Sequence, residues 1–345
     1  MNALGKELKL RSSEFKNTSV DTIYFGGGTP SLLSADELQL LLDSIFNDYA
    51  VAANPEITLE ANPDDLSNTY IQVLGNSEIN RLSIGIQSFF NEDLTLMNRA
   101  HNASEALRSL EEAKRYFNNI SVDLIYGIPN ANDTQWISNI ERVLDFEIPH
   151  ISAYALTVEP KTALAHFIKE GKYANVDDEQ AERQFHLLVE RLDQDGFINY
   201  EISNFGKEGY FSRNNSAYWQ GKSYLGIGPS AHSFDGQRRG WNVRNNSKYI
   251  AALSKNELPI EYENLSKKDR YNEYVMTGLR TIWGISLKKV KEEFGPNFER
   301  YLEKQSKKYV DEHLLFMDGD TLRTSIKGRF LSDGIASDLF MINLE

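Results

Sequence analysis

Leu38, Leu41, Leu42, Ile45, Phe46 and Tyr49 recur at the spacing of one helix face, which predicts an amphipathic helix. Ser34, followed three residues later by Glu37, makes a capping box at its start. Just upstream, Thr22-Ile23-Tyr24-Phe25 is β-branched and aromatic, as a buried parallel strand requires. Further strand candidates are Glu56–Glu60, Leu82–Ile86, Ile120–Ile125 and Ile151–Leu156. Between and after them run helical stripes: Leu107, Leu110 and Phe117, then Phe185, Leu188, Val189 and Leu192 within a helix from Asp177 to Asp195 that stops at Gly196. These stripes are core positions. Strand and helix in alternation predict an α/β chain of stacked β-α units around a parallel sheet.

The chain opens on Asn2–Phe15, which reads as a helix carrying Leu4 and Leu8. A β/α chain that begins on a helix lacks a strand beside Thr22–Phe25. The unpaired N–H and C=O groups of that edge predict pairing between copies. Residues 197–262 are less periodic and rich in Asn, Gly and Tyr, and read as a loop-rich segment covering the sheet. Beyond them helical runs resume, and Leu314–Met317 and Thr321–Thr324 flank Asp318-Gly319-Asp320 as a hairpin. Helices followed by a hairpin predict a winged-helix-like α+β domain. The expected division of the chain is therefore 1–196, 197–262 and 263–345.

At 345 residues the chain has room for a large domain and a smaller one. Its 37 basic and 50 acidic residues give a formal net charge of −13, which opposes nucleic acid and anionic membrane surfaces. Arg300, Lys304, Lys307 and Lys308 near the hairpin are interspersed with Glu299 and Glu303 and read as a solvated or packing face. No nucleic-acid partner is expected. No apolar stretch reaches the length of a membrane span and no signal-peptide pattern is visible, so the expected location is cytoplasmic, with at most peripheral membrane contact. The sequence has no cysteine, which excludes disulfides and thiolate ligation of zinc or an iron–sulfur cluster by this chain. No metal site is expected in it.

Gly26, Gly27, Gly28, Thr29 and Pro30 link the first strand to the capped helix. Three glycines exceed the need of a tight turn and let a ligand approach main-chain N–H and C=O groups. No Lys-Ser/Thr pair follows, so this is not a triphosphate loop. Polar residues recur where other strands end: Glu60, Gln87 and Asp123. Each taken alone also fits a cap or turn role. Together, at the carboxy-terminal ends of neighbouring strands, they point to one pocket, with acceptors for an amine or hydroxyl groups and with Arg99 available to a carboxylate.

The same residues carry a resemblance. Gly26-Gly27-Gly28-Thr29-Pro30-Ser31, Glu60-Ala61-Asn62-Pro63, Ser83-Ile84-Gly85-Ile86-Gln87-Ser88-Phe89, Arg99-Ala100-His101 and Asp123-Leu124-Ile125-Tyr126-Gly127-Ile128-Pro129 resemble the radical S-adenosylmethionine (SAM) family of oxygen-independent coproporphyrinogen III oxidases. Leu156-Thr157-Val158-Glu159-Pro160, Tyr218-Trp219 and Gly226-Ile227-Gly228-Pro229-Ser230-Ala231-His232 resemble its haem-chaperone branch, HemW. The likeness runs over nearly the whole chain. It implies a partial (β/α)6 TIM-like barrel missing its first strand, with S-adenosyl-L-methionine lying across the carboxy-terminal edge of the sheet. On that analogy Gly26, Gly27, Gly28 and Thr29 take the methionine amino end, and Glu60, Gln87, Arg99 and Asp123 hold the carboxylate and ribose.

The family's Cys-x3-Cys-x2-Cys, which holds a 4Fe-4S cluster, follows a strand with no counterpart here. The expectation is an N-terminally shortened relative without radical chemistry of its own. Where the chaperone branch has His-Asn-x-x-Tyr-Trp, this chain has Asn214-Asn215-Ser216-Ala217-Tyr218-Trp219, and an amide does not replace imidazole as a haem-iron ligand. The haem candidates are then Asn214, Asn215, Tyr218 and Trp219, with His232 as the alternative iron ligand. The implied function is to bind haem and deliver it to haem-accepting proteins. The alternatives are coproporphyrinogen III oxidation and, from another class, a non-catalytic winged-helix regulator.

Overall fold

The structure is a computed structural model and describes residues 1–15 and 18–342; residue 345, which closes the last expected domain, lies outside that description. Seven strands form its main sheet: β1 (Val20–Phe25), β2 (Val51–Ala61), β3 (Arg81–Gln87), β4 (Ile120–Tyr126), β5 (His150–Ala155), β6 (Ile198–Glu201) and β7 (Asn204–Gly206). Their order is β1-β2-β3-β4-β5-β7-β6. The first five run parallel, and the β6-β7 hairpin completes the sheet, with β7 antiparallel to β5 and β6 antiparallel to β7. The stretch expected to be loop-rich therefore supplies two strands of the barrel. It also holds most of a separate antiparallel sheet of β8 (His232–Phe234), β9 (Arg238–Asn242) and β10 (Ile260–Asn264), whose last strand crosses the expected boundary at residue 262. Short strands rich in Asn and Gly carry too little periodicity to announce themselves.

Alternation along the strands gives the half-barrel two unlike faces. Ile23, Ile57, Leu59, Leu82, Ile84, Ile86, Val122, Leu124 and Ile151 point outward and are covered by helices. Leu38 and Leu42 of Ala35–Asp48, Leu110 of Ala103–Ala113, Ile140 of Asp133–Asp145 and Leu188 of Asp178–Gln194 pack on them as one continuous core. The expected helices form where the stripes place them, and the Ser34–Glu37 capping box is complete. Phe117 lies past the end of its helix but is buried all the same. The opening helix is α-helical over Asn2–Arg11 and tightens to a 3-10 turn over Ser12–Phe15.

The concave face is polar. Thr22, Tyr24, Glu56, Thr58, Glu60, Arg81, Ser83, Ser121, Asp123, His150 and Ser152 occupy the alternate positions, and Tyr24–Glu60, Arg81–His150, Ser83–Asp123, Ser121–His150 and Ser121–Ser152 bond across strands. At the amino-terminal end of the strands this lumen is closed by residues 211–219. Phe211 stacks on Tyr200 at 4.3 Å, and the Glu56 carboxylate accepts the main-chain N–H groups of Arg213 and Asn214, each at 3.0 Å. Those N–H groups start the helix Arg213–Trp219, where a carboxylate is favoured. The carboxy-terminal ends of the strands form the opposite rim, the end at which β/α barrels carry their sites.

The carboxy-terminal part runs helix (Lys267–Leu279), strand β11 (Ile285–Ser286), helix (Leu287–Phe294), helix (Pro296–Asp311), then the hairpin β12 (Leu315–Asp318) and β13 (Thr321–Thr324). The hairpin turns through Gly319 at φ +60°. Tyr271, Val275, Val290, Phe294, Leu302 and Leu322 give it a core of its own. This is the winged-helix-like arrangement that the sequence suggests. No helix among the described residues is long and apolar enough to cross a membrane.

Candidate ligand site at the strand rim

Glu60 sits one residue from the end of β2, with Tyr24 reaching across from β1 to donate its hydroxyl to Oε1 at 2.7 Å. The other oxygen, Oε2, accepts the Gly27 N–H at 3.3 Å. One carboxylate thus ties the glycine run to the lumen. Gly26 has no room for a side chain: a Cβ there would meet the Tyr24 ring at 2.6 Å and Glu60 Oε1 at 3.0 Å. Gly27 and Gly28 adopt φ of +73° and +110° and face open space, conformations that glycine takes without steric cost. Thr29 precedes the short turn Pro30–Leu32.

Asp123 on β4 accepts the Ser83 hydroxyl at 3.2 Å. Burial, and then the neighbouring Glu60 charge, push its carboxyl up to about 7, against the pull of Ser152, Arg81 and Ser83. The cluster of Glu60 and Asp123 is therefore a site where a cation or a set of hydroxyl donors is favoured. Tyr24 and Tyr154 both have their hydroxyls pushed up, by burial first and then by these acids.

Gln87 closes β3, and Arg99 lies on the segment that follows. Both side chains lean over Gly85, where a Cβ would stand 2.8 Å from Gln87 Nε2 and 3.1 Å from an Arg99 guanidinium nitrogen. Among the described residues Arg99 donates only to neutral acceptors, the Asn62 side chain at 3.2 Å and the Gly85 carbonyl at 3.3 Å. Its pKa is lowered by burial, opposed by Asp64 and Asp123. A guanidinium held by neutral groups suits an incoming carboxylate.

The structure thus brings Gly26–Gly28, Glu60, Gln87, Arg99 and Asp123 to one rim. Sequence reasoning missed Tyr24, Asn62 and Ser83, which bond directly to them. The signal was present: Thr22/Tyr24, Glu56/Thr58/Glu60, Arg81/Ser83/Gly85/Gln87 and Ser121/Asp123 alternate polar residues with apolar ones at a period of two.

The haem candidates lie elsewhere. Asn214, Asn215, Tyr218 and Trp219 belong to the helix at the opposite end of the lumen. The Asn214 side chain accepts the Thr22 hydroxyl at 3.0 Å, and the Trp219 ring lies 5.2 Å from the Arg280 guanidinium carbon. His232 is on β8, exposed, beside the Trp241 ring at 6.5 Å. An aromatic path through Tyr218, Tyr224 and Phe234 connects the two regions.

Two buried residues anchor the β8 region. Glu7, on the helix Asn2–Arg11, accepts from Gly228 N–H at 2.9 Å, Asn242 Nδ2 at 2.7 Å and the Tyr249 hydroxyl, and pairs with Arg11 at 3.2 Å. Arg11 in turn donates to the Gly226 carbonyl at 2.9 Å and the Ser233 hydroxyl at 3.1 Å.

A thiolate-held cluster does not fit the residues present: the sequence has no cysteine. Among the described residues no three of His, Asp and Glu gather closely enough to hold a metal ion.

Comparison with known proteins gives a consistent result. The model of the radical SAM superfamily matches residues 6–143, and that of the HemN C-terminal domain matches residues 265–331. The heme chaperone HemW of Lactococcus lactis is 33% identical over 326 residues, covering 93% of this chain and 86% of the relative. That of Mycobacterium tuberculosis is 32% identical over 339 residues, covering 98% and 85%. Among solved structures, the coproporphyrinogen III oxidase HemN of Escherichia coli, a radical SAM enzyme, superposes with a TM-score of 0.84 at 21% identity, covering 99% of this chain and 82% of that one. It shares the fold.

Proposed function

The chain belongs to the HemW family within the radical SAM superfamily, and from that premise we propose that it binds haem and passes it to acceptor proteins, with a SAM cradle at its strand rim. The observation that carries the cradle is the convergence of Glu60, Asp123, Gln87 and Arg99 beside the glycine run. Glu60 and Asp123 would accept from the ammonium and ribose hydroxyls, Arg99 would pair with the carboxylate, and the main chain at Gly26–Gly28 would line the methionine end. When bound, SAM supplies a sulfonium cation, which suits the acidic mouth of the lumen.

For the haem-iron ligand we favour His232, on the surroundings of the other histidines. His150 is fully buried, with Nδ1 bonded to Ser121 at 2.7 Å and Nε2 to Tyr200 at 2.8 Å. His101 is buried and bonded to the Ile86 carbonyl. Both rings are committed. His166 and His186 lie on helix surfaces beside Glu170 and Glu182, and His313 is exposed between the helix Pro296–Asp311 and β12, away from β8 in the chain's carboxy-terminal part. His232 stands exposed between Trp241 and the Phe234 side of β8, where a flat apolar macrocycle finds ring contacts and an imidazole together. Titration of the purified chain with haemin is expected to give a saturable Soret shift that His232→Ala abolishes without lowering the thermal midpoint. A shift that survives in His232→Ala removes this ligand, and no saturable shift in the wild type removes the haem reading.

A further inference from the structure

Gln87 has φ +66°, a left-handed conformation that a residue with a side chain rarely adopts. Its neighbours close a three-residue turn around it, the Ser88 N–H donating to the Ile86 carbonyl at 2.8 Å. This is a γ-turn of the strained hand. Such strain persists only where the surroundings over-determine it, and it gathers at ligand sites. Here it aims the Gln87 amide over Gly85, against Arg99.

The Ile86 carbonyl accepts a second hydrogen bond, from His101 Nε2 at 3.0 Å. A carbonyl can only accept, so that nitrogen carries the proton. The ring is 3% exposed, and its Nδ1 faces Asp64 Oδ1 at 3.7 Å. His101 stands two residues from Arg99 and so touches both sides of the rim: the end of β3 through Ile86 and the loop after β2 through Asp64.

The geometry points to His101 as the positioning residue that holds the γ-turn closed and keeps Gln87 and Arg99 aimed at the ligand. This rests on reading the rim as a SAM cradle. Without the Nε2 donor the Ile86 carbonyl is held by the Ser88 N–H alone, Gln87 relaxes to an extended φ, and its amide swings off Gly85.

The test is nuclear magnetic resonance on the isotope-labelled full chain, titrated with SAM, for three proteins: the wild type, His101→Phe and His101→Gln. Phenylalanine fills the space without a donor, and glutamine can place an amide N–H where Nε2 sits. His101→Phe is expected to keep its fold, to change the Gln87 coupling between N–H and Hα, and to bind SAM about tenfold more weakly, the scale of one lost hydrogen bond. His101→Gln is expected to match the wild type in both readouts. An unchanged Gln87 coupling in His101→Phe overturns the inference. A wild type that shows no response to SAM overturns the cradle reading instead, while the ligand-free coupling still decides the clamp. If His101→Phe does not fold, His101→Asn, whose amide stops short of the carbonyl, takes its place with the same expected results.

Discussion

Glu7→Ala is expected to destabilise the chain by about 3–5 kcal/mol, the range for breaking a buried charged network from one side. The Glu7 carboxylate is fully buried and satisfies Gly228, Asn242, Tyr249 and Arg11 together. Arg11 would keep Glu14, to which it donates at 2.8 and 3.0 Å. The Gly228 N–H and the Tyr249 hydroxyl would lose the buried carboxylate that accepts them, and unsatisfied buried donors are costly. Thermal unfolding checks the loss. The segment Gly226–His232 should also loosen, so haemin affinity should fall with stability. A variant as stable as the wild type would mean that the helix Asn2–Arg11 docks through its apolar contacts alone.

Asp123→Asn is expected to abolish a dependence of stability on pH. The carboxyl is moved from 3.8 to about 7 by burial and by Glu60. Between those values the folded protein holds the proton and the unfolded chain releases it. Stability therefore falls as pH rises from about 4 to about 7, and the loss is complete above that. At pH 8 the asparagine variant should exceed the wild type by on the order of 2–4 kcal/mol, while near pH 4 the two should be close. The same substitution removes an ionised acceptor from the rim and should weaken SAM binding. Such a trade of stability for a binding group is what a functional acid in a buried site produces. Parallel unfolding curves for the two proteins from pH 4 to pH 8 would show that Asp123 ionises in the fold at its ordinary value.

The elements that sequence made legible are those with a strong period. The helix Ala35–Asp48 declares itself through its stripe and its Ser34–Glu37 box, and β1 to β5 through their apolar runs. Glu60 and Gln87 were legible because each follows an apolar run at a strand end, whereas Asp123 lies mid-strand in β4 and was legible as a polar residue inside Ser121-Val122-Asp123-Leu124. What escaped is carried by long-range pairing. Glu7 meets Asn242 and Tyr249 across more than two hundred residues, and nothing local marks a glutamate on an amphipathic helix as buried. The β6-β7 hairpin is too short to show alternation, and its place beside β5 comes from Ile151–Phe205 and Ser152–Asn204 pairing. The left-handed φ at Gln87 was equally invisible, since glutamine does not signal a turn.

The separation of Asn214, Tyr218 and Trp219 from the rim has a physical reading too. Their helix is fixed by Glu56 and Thr22 at the closed end of the lumen, so their first task is to seal the barrel. Any haem contact they make comes from the outward side, through Tyr218 and Tyr224 toward β8.

Calorimetric titration of the wild type and of Arg99→Ala with SAM bears on the rim cradle most directly. The expected result is a single saturable site in the wild type, weakened about ten- to one-hundredfold in a folded Arg99→Ala, as loss of a charge-assisted carboxylate contact requires. A wild type that takes up no ligand, or an Arg99→Ala that binds it equally well, would contradict the gathering of these side chains around one guest.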